Sequence, residues 1–170
     1  MRDLILNLAV SLDGFIEGPN GEFDWCFTDQ DYGMKEFLSG VDTIFFGRKS
    51  YEVLLKFETN PYPKLKKYVF SKTLPSADGA TLIREDIEAR VKEIKKEQGK
   101  NIWLFGGASL TSQLLNLALV DEMQLAVHPL FLGKGKPLFS GMKSRIGLEL
   151  VDSKVYTTGL VQVSYRTRRQ

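Results

Sequence analysis

Two short glycine turns, each between an apolar run and a helical pattern, constrain this chain most. Residues 47–50 (Gly-Arg-Lys-Ser) follow the apolar residues 43–46, and residues 106–110 (Gly-Gly-Ala-Ser-Leu) follow the apolar residues 102–105. Each turn lies where a buried strand should end and a helix should begin. Such a turn exposes backbone N–H groups at a positive helix end, where phosphate binds. Either turn alone also fits a tight turn without a ligand, because glycine tolerates such conformations.

The first turn also carries two adjacent cations, Arg48 and Lys49. A phosphorylated ribose needs charge-assisted donors; arginine offers a planar fork and lysine a point charge. The two turns together therefore favour a dinucleotide with a phosphorylated ribose.

Length and composition predict one globular domain over residues 1–170, with 43% hydrophobic and 26% charged residues. The net charge of +2 comes from 23 basic and 21 acidic residues, a balance that argues against nucleic acid as a partner. No apolar stretch approaches the roughly 20 residues of a membrane span. We therefore expect no membrane association and a cytoplasmic location.

The single cysteine, Cys26, and the single histidine, His128, exclude an intrachain disulfide and a structural zinc site. Cys26 lies between Trp25 and Phe27, which favours a packed, inert thiol over a nucleophile. His128 lies in an apolar run before Pro129, which favours a structural histidine over a catalytic one.

Apolar runs predict eight strands, at first alternating with helices and finally forming an antiparallel hairpin through residues 157–159. The fold class is therefore α/β, a mixed eight-stranded sheet flanked by helices in three layers. The predicted strands are residues 2–12, 41–46, 68–70, 80–83, 102–105, 122–131, 148–156 and 160–168. The predicted helices are residues 29–38, 50–57, 85–98 and 109–118. The apolar loop over residues 14–28 is long enough to cover a ligand.

Several segments, in the right order, resemble the dihydrofolate reductase superfamily. They are residues 8–16 (Leu-Ala-Val-Ser-Leu-Asp-Gly-Phe-Ile), 46–52, 69–72 and 105–110. Residues 11–14 and 128–139 resemble one branch of it, the riboflavin-biosynthesis reductases with a RibD C-terminal-like domain. The resemblance covers nearly the whole chain, and it implies an NADPH-dependent reductase of dihydrofolate-reductase-like fold.

The resemblance also implies which residues contact NADPH. The ribose phosphate and the near end of the pyrophosphate would be held by Gly47, Arg48, Lys49, Ser50, Ser71 and Lys72. The far end would be held by Gly106, Gly107, Ala108, Ser109 and Leu110. The nicotinamide would lie near Ala9, Ile16 and Phe105, whose apolar side chains exclude water from hydride transfer.

On the substrate side, the resemblance singles out Asp31 as the carboxylate that binds substrate and helps to deliver a proton. An acidic residue there equally suits a helix N-terminus without any chemistry. Asn7 would face the same pocket, to orient a substrate amide or merely to satisfy the backbone. Trp25, in the covering loop, is the third predicted substrate contact. Asp13 is expected to tie the loop.

Two departures from the family patterns leave the substrate open. The riboflavin reductases usually carry a lysine near the position of Asn7, and the folate reductases carry an arginine at the position of Leu65. The predicted reaction is hydride transfer from NADPH to a C=N or C=O bond. The substrate would be 5-amino-6-(5-phosphoribosylamino)uracil or a similar heterocyclic or sugar-linked molecule. The alternatives are dihydrofolate reductase and a non-catalytic NADP-binding module. The resemblance further implies a homodimer formed through the C-terminal end of the sheet.

Overall fold

A central sheet with helices on both faces organises the protein. The computed structural model describes residues 1–168, so the last two residues of the predicted domain lie outside the described part. The strands are β1 (Leu4–Ser11), β2 (Phe15–Glu17), β3 (Val41–Gly47), β4 (Lys66–Phe70), β5 (Thr81–Ile83), β6 (Asn101–Gly106), β7 (Glu122–His128), β8 (Lys136–Pro137), β9 (Leu148–Val155) and β10 (Val161–Thr167). The helices are α1 (Met34–Ser39), α2 (Arg48–Leu54), α3 (Ile87–Lys96) and α4 (Ala108–Asn116).

Eight of these strands form one sheet in the order β5-β4-β3-β6-β1-β7-β10-β9. The first six run parallel, whereas β10 is antiparallel to both β7 and β9. The mixed eight-stranded sheet and its C-terminal hairpin are therefore confirmed. The two shortest strands, β2 and β8, pair with each other in a separate ribbon.

Each face of the sheet has its own apolar core, because neighbouring side chains of a strand point to opposite faces. On one face, here the α3/α4 face, Leu4 and Leu6 of β1 pack with Val91 of α3 and Leu114 of α4. On the other, the α1/α2 face, Trp103 of β6 and Phe46 of β3 pack with Tyr51 and Leu54 of α2. Phe37 of α1 meets the Trp103 ring edge-on at 5.4 Å between ring centroids.

The helices that follow β3 and β6 lie on opposite faces, although the two strands are neighbours. The chain leaves β3 into α2 on the α1/α2 face and leaves β6 into α4 on the α3/α4 face. Such a divergence opens a crevice beyond the carboxyl ends of the strands, the usual ligand position in parallel α/β sheets. The fold thus places the two glycine turns on either side of one crevice.

Several details of the sequence-based prediction were wrong. The helix expected over residues 50–57 is α2 (Arg48–Leu54), and the strand expected over residues 122–131 ends at His128. The helix expected over residues 29–38 begins only at Met34, because Tyr32 (φ 49°) and Gly33 (φ 78°) adopt left-handed backbone conformations that interrupt it. The stretch over residues 14–28, expected to be irregular, contains β2. Strands of three and two residues leave too little periodicity to detect in a sequence.

One buried ion pair fastens α3 to the sheet. The Lys95 ammonium, 4% exposed, donates to the Asp121 carboxylate and to the Leu119 carbonyl oxygen at 2.9 Å. The same carboxylate accepts the backbone N–H of Leu4 at 2.8 Å. The pair therefore joins α3, the amino end of β1 and the segment that leads into β7.

We predict that Lys95→Met lowers the free energy of unfolding by about 3–5 kcal/mol, because removing one partner of a buried ion pair is strongly destabilising. The matched control is Lys92→Met on the same helix, whose exposed pair with Glu88 should contribute only about 0.3–0.5 kcal/mol. Urea denaturation followed by circular dichroism measures both variants. Equal free energies of unfolding for the two variants would contradict the conclusion that the buried Lys95–Asp121 pair attaches α3 to the sheet.

Candidate functional site

The two glycine turns come together at the carboxyl edge of the sheet. A Cβ atom at Gly47 would lie 3.5 Å from the backbone N of Gly107 and 3.6 Å from the Gly106 carbonyl oxygen. A Cβ atom at Gly107 would lie 3.4 Å from Ser50 Oγ. Gly106 has a φ of +123°, which side-chain-bearing residues rarely adopt, and its peptide bond to Gly107 is cis. Backbone, rather than side chains, therefore forms the floor of the site.

Both turns lead directly into helices whose first N–H groups remain available. Gly47 and Gly107 are the N-cap residues of α2 and α4, and both have extended backbone conformations. In the described part of the chain, no side chain caps either helix. Uncapped N–H groups at a helix start carry a partial positive charge and lack a partner within the helix. They suit a phosphate oxygen.

A cleft of about 530 Å³ opens beside these helix starts. It brings together ten of the predicted cofactor residues: Gly47, Arg48, Lys49, Ser50, Ser71, Lys72, Gly107, Ala108, Ser109 and Leu110. The other four predicted residues, Ala9, Ile16, Phe105 and Gly106, do not line it. No acidic residue of the described chain lines the cleft, whereas five cations do. This excess of positive charge fits a ligand that carries several phosphate charges.

Two of the five cations, Arg84 and Lys136, were missed in the sequence analysis. Arg84 directly follows β5, as Ser71 follows β4 and Arg48 follows β3, so its position at a strand end was a usable signal. Lys136 gave no such signal, because it reaches the cleft from β8, a strand of two residues. Gln113 of α4 also lines the cleft and was not predicted.

Hydrogen bonds fix the loop after β4 between the strand ends. Arg48 donates to Thr73 Oγ1 at 3.1 Å, and Arg84 donates to the Pro75 carbonyl oxygen at 2.8 Å. Ser71 Oγ accepts the backbone N–H of Leu74 at 3.1 Å. These contacts position Arg48 and Arg84 on either side of residues 71–75. A phosphate that enters there would meet a prearranged set of donors.

A second cleft, of about 560 Å³, lies at the opposite edge of the sheet, where Met1 and the end of α4 meet. The two clefts are similar in size, but they differ in their position on the sheet. Ligands of parallel α/β sheets bind beyond the carboxyl ends of the strands, and only the first cleft lies there. We therefore take the first cleft as the candidate functional site.

Asn7, a predicted substrate residue, lies on the α1/α2 face of β1 and is 7% exposed. Its side-chain amide donates to Gln124 Oε1 of β7 at 3.3 Å, and Gln124 in turn donates to Glu122 Oε1 at 2.9 Å. The backbone oxygen of Asn7 accepts the indole N–H of Trp103 at 2.9 Å. The Asn7 side chain is therefore held by a neutral amide.

Trp25 is half-buried, with its ring edge-on to His128 at 5.2 Å between centroids. Among residues 1–168, its buried indole Nε1 has no hydrogen-bond partner. Buried donors without a partner are uncommon in folded proteins and raise the question of a missing acceptor. An acceptor atom on a substrate would satisfy this group.

Asp31, the predicted catalytic acid, lies just before α1 and is exposed. Both of its carboxylate oxygens accept the backbone N–H of Lys35 at 3.2 Å. This contact is the helix-stabilising alternative considered for an acidic residue at this position. The same carboxylate remains open to solvent, so the contact leaves it accessible to a second partner.

His128 has the expected structural role. It is 2% exposed, its Nε2 accepts the backbone N–H of Phe27 at 3.1 Å, and its Nδ1 lies 2.9 Å from the Ala126 carbonyl oxygen. These partners require a neutral ring protonated at Nδ1. Burial lowers the pKa of His128 below its ordinary value of 6.5, although the Ala126 bond acts in the opposite sense.

Cys26 also agrees with its predicted inert role. Burial, together with the nearby Asp24 carboxylate, raises the pKa of the Cys26 thiol to about 11. A thiol of that pKa carries almost no thiolate at neutral pH and is a poor nucleophile. In the described chain, no group of three His, Cys, Asp or Glu side chains could hold a metal ion. None of its helices is long and apolar enough to cross a bilayer.

An α/β sheet of this order with a basic cleft at its carboxyl edge defines a dihydrofolate-reductase-like protein, and solved structures share that fold. A protein from Shewanella sp. PV-4, whose name places it provisionally in riboflavin biosynthesis, superposes with a TM-score of 0.88 at 26% identity, covering 99% of this chain and 100% of that one. Dihydrofolate reductase from Enterococcus faecalis, complexed with NADP(H), gives a TM-score of 0.73 at 18% identity, covering 98% and 97%.

The chain belongs to the RibD C-terminal domain family, whose pattern matches residues 2–162. This is a reductase family of the riboflavin-biosynthesis type. The uncharacterized protein YyaP of Bacillus subtilis (strain 168) is 48% identical over 177 residues, which cover 96% of this chain and 94% of YyaP. The resemblance seen in the sequence, and the fold expected from it, are thus confirmed.

The single histidine makes a pH-dependent stability test possible. Between pH 6.5 and the lower folded-state pKa, the unfolded chain binds a proton at His128 that the folded chain does not. Stability should therefore fall as the pH drops through that window, by at most about 1.4 kcal/mol per pH unit. Denaturation between pH 7.5 and 5.5 measures this slope. In His128→Gln this pH-dependent contribution to stability should vanish. An unchanged slope would contradict the lowered pKa of His128 in the folded chain.

Proposed function

We propose that the protein is an NADPH-dependent reductase that transfers a hydride to a C=N or C=O bond of a small heterocyclic or sugar-linked substrate. The observation that carries this proposal is the cleft between the starts of α2 and α4, with five cations and no lining carboxylate. Membership of the RibD C-terminal domain family supports the reductase class. The NADP(H) held by the Enterococcus faecalis neighbour supports the cofactor.

We assign parts of the cofactor to parts of the cleft from the positions of the strand ends. The phosphorylated ribose would be held by side chains at the ends of β3, β4 and β5, because they provide charge-assisted donors. These side chains are Arg48, Lys49, Ser71, Lys72 and Arg84. The uncapped N–H groups of α2 and α4 would hold the pyrophosphate.

Ala9 and Phe105 share the α1/α2 face near this edge and would form the apolar wall beside the nicotinamide, with Ile16 opposite. Bound NADPH would supply the hydride there, and the apolar wall would exclude water from the transfer.

For the substrate, we propose a heterocycle with an amide-like edge, read by the Asn7 carboxamide and the unpartnered Trp25 N–H. A ribosylamino-pyrimidine such as 5-amino-6-(5-phosphoribosylamino)uracil has such an edge and agrees with the family. Dihydrofolate is the second candidate, because its pterin ring offers similar groups. A non-catalytic NADP-binding module is the third possibility.

Absorbance at the NADPH band, followed with pterins, pyrimidine ribosylamines and small carbonyl compounds, tests the reductase proposal. Oxidation with one substrate class identifies the substrate. NADPH binding by calorimetry without oxidation of any substrate would leave the non-catalytic module as the better description. No NADPH binding at all would overturn the proposal.

The cofactor preference tests the assignment of the ribose phosphate. We predict that Arg48→Ala weakens NADPH binding by about ten- to a hundredfold, since a lost charge-assisted contact costs about 1.5–3 kcal/mol. NADH binding should change much less, because NADH lacks that phosphate. Calorimetric titration of both cofactors measures this, with Lys56→Ala, which does not line the cleft, as the control. Wild-type protein that binds both cofactors equally would refute the preference.

The proton supply is proposed to come from Asp31, whose exposed carboxylate is open to a second partner. Asp31→Asn should leave the NADPH Kd unchanged and lower turnover by a factor on the order of 10². Asp29→Asn is the matched control, because its carboxylate accepts the Tyr32 hydroxyl at 2.7 Å. A lower melting temperature with turnover retained would show that Asp31 only holds the start of α1.

We further propose a homodimer through β9. This strand is the edge of the sheet, and all eight of its residues are exposed, among them Leu150, Val151 and Val155. An exposed edge strand with apolar side chains can pair with a strand of another chain. Light scattering after size-exclusion chromatography should give the mass of a dimer for the wild type and of a monomer for Val155→Lys. A monomeric wild type would contradict the proposal.

A further inference from the structure

Lys136 lines the cleft but does not belong to the main sheet. It lies on β8, which pairs with β2 in the small ribbon, and β2 follows β1 through the turn at Gly14. The backbone N–H of Leu138 donates to the Gly14 carbonyl oxygen at 2.8 Å. The ribbon is thereby attached to the carboxyl end of β1, next to the starts of α2 and α4 but on a separate piece of backbone.

Two further contacts hold the segment before Lys136 in place. The Asp13 carboxylate accepts the backbone N–H groups of Leu132 at 3.1 Å and Gly133 at 2.8 Å. Gly135 has a φ of +140°, and a Cβ atom there would lie 2.1 Å from the Glu17 carbonyl oxygen. Only glycine permits so close an approach of β8 to β2. The base of the Lys136 side chain is therefore fixed.

Within residues 1–168, the Lys136 ammonium has only a loose partner. The Glu17 carboxylate, on the paired strand β2, lies 3.9 Å from it, and both side chains are about one-third exposed. A pair at this distance and exposure contributes little to stability. A phosphate in the cleft would offer a shorter, charge-assisted bond and would compete with Glu17 for the ammonium.

The order of the strands indicates which phosphate this would be. From one end of the carboxyl edge to the other, the cleft residues follow β5 (Arg84), β4 (Lys72), β3 (Arg48) and β6 (Gly107), and the ribbon beyond β1 carries Lys136. From β4 to β1 is three strand spacings, or about 14 Å. Lys136 thus lies at the opposite end of the cleft from the ribose-phosphate cations and beside the helix starts assigned to the pyrophosphate.

We propose that Lys136 binds the pyrophosphate of the dinucleotide from the ribbon side, and that Glu17 competes with this phosphate for the ammonium. The inference rests on the proposed function, because it takes the cleft to be a dinucleotide site. If Lys136 binds the pyrophosphate, then β2 and β8 belong to the cofactor site. Cofactor binding would then stabilise the loop over residues 14–28, because β2 is part of the backbone of that loop. Glu17 weakens cofactor binding and favours release.

The test compares three probes that share different parts of the dinucleotide: NADPH, NADH and adenosine 2′-monophosphate. Lys136→Met should weaken the binding of NADPH and of NADH by the same factor, about tenfold for one lost charge-assisted contact. It should leave adenosine 2′-monophosphate unchanged, because that probe has the ribose phosphate but no pyrophosphate. Arg48→Ala should do the reverse, affecting NADPH and adenosine 2′-monophosphate more than NADH. Lys134→Met, an exposed lysine of the same loop that does not line the cleft, is the control.

Glu17→Gln provides a second, independent test with the opposite sign. This substitution should tighten the binding of NADPH and of NADH several-fold. The gain in affinity should disappear in the Glu17→Gln/Lys136→Met double variant, as expected when two residues act on one contact. Melting temperatures verify that each variant is folded.

Wild-type protein that binds neither NADPH nor NADH would overturn the proposed function, and this inference with it. Normal NADPH binding and the expected Arg48→Ala loss, combined with wild-type affinities for Lys136→Met and Glu17→Gln, would overturn this inference alone. A Lys136→Met loss shared by adenosine 2′-monophosphate would also overturn it, because the lysine would then serve the ribose phosphate.

Discussion

The close approach of two backbone turns, at Gly47 and Gly107, is the constraint on which the rest of the site depends. A Cβ atom on Gly47 would lie in van der Waals contact with the Gly107 nitrogen, at 3.5 Å, so the two turns pack closely against each other. This is possible because β3 and β6 are neighbours whose following helices leave to opposite faces. The starts of α2 and α4 consequently point into one crevice, and their partial positive charges add.

The sheet distributes the remaining chemistry along that crevice by strand order. Four cations stand after β3, β4 and β5, and the fifth, Lys136, stands on the ribbon beside β1. Amide side chains and aromatic rings stand on the α1/α2 face of β1 and β7. The charged half suits an anionic ligand, and the neutral half suits an uncharged ring with hydrogen-bonding edges. A ligand with phosphates at one end and a reactive ring at the other is therefore oriented before any specific contact is made.

Much of this arrangement could be predicted from the sequence, because it depends on local patterns. Apolar runs predicted all eight strands of the main sheet, the glycine turns contain eight residues of the cleft, and the family resemblance added Ser71 and Lys72. Lys136 was missed because it joins the site only through the pairing of β8 with β2, whereas Arg84 was missed although its position directly after β5 was a usable signal. The start of α1 was placed too early because the left-handed conformation of Tyr32 has no signature in a run of acidic and aromatic residues. The substrate side was the least predictable, since the Asn7–Gln124 bond depends on the register of β1 against β7.

The covering loop over residues 14–28 depends on a buried histidine. His128 accepts the Phe27 N–H and packs against both Trp25 and Phe27, so it attaches the loop over residues 14–28 to β7 at one end. Asp13 attaches the other end to residues 132–133, which follow β7. Both ends of the covering loop are thus tied to β7 and its continuation, and β2, which follows Asp13, adds a further attachment through its pairing with β8. The first residues of the loop, up to Glu17, are the part next to Lys136, so the ribbon connects the covering loop to the candidate cleft.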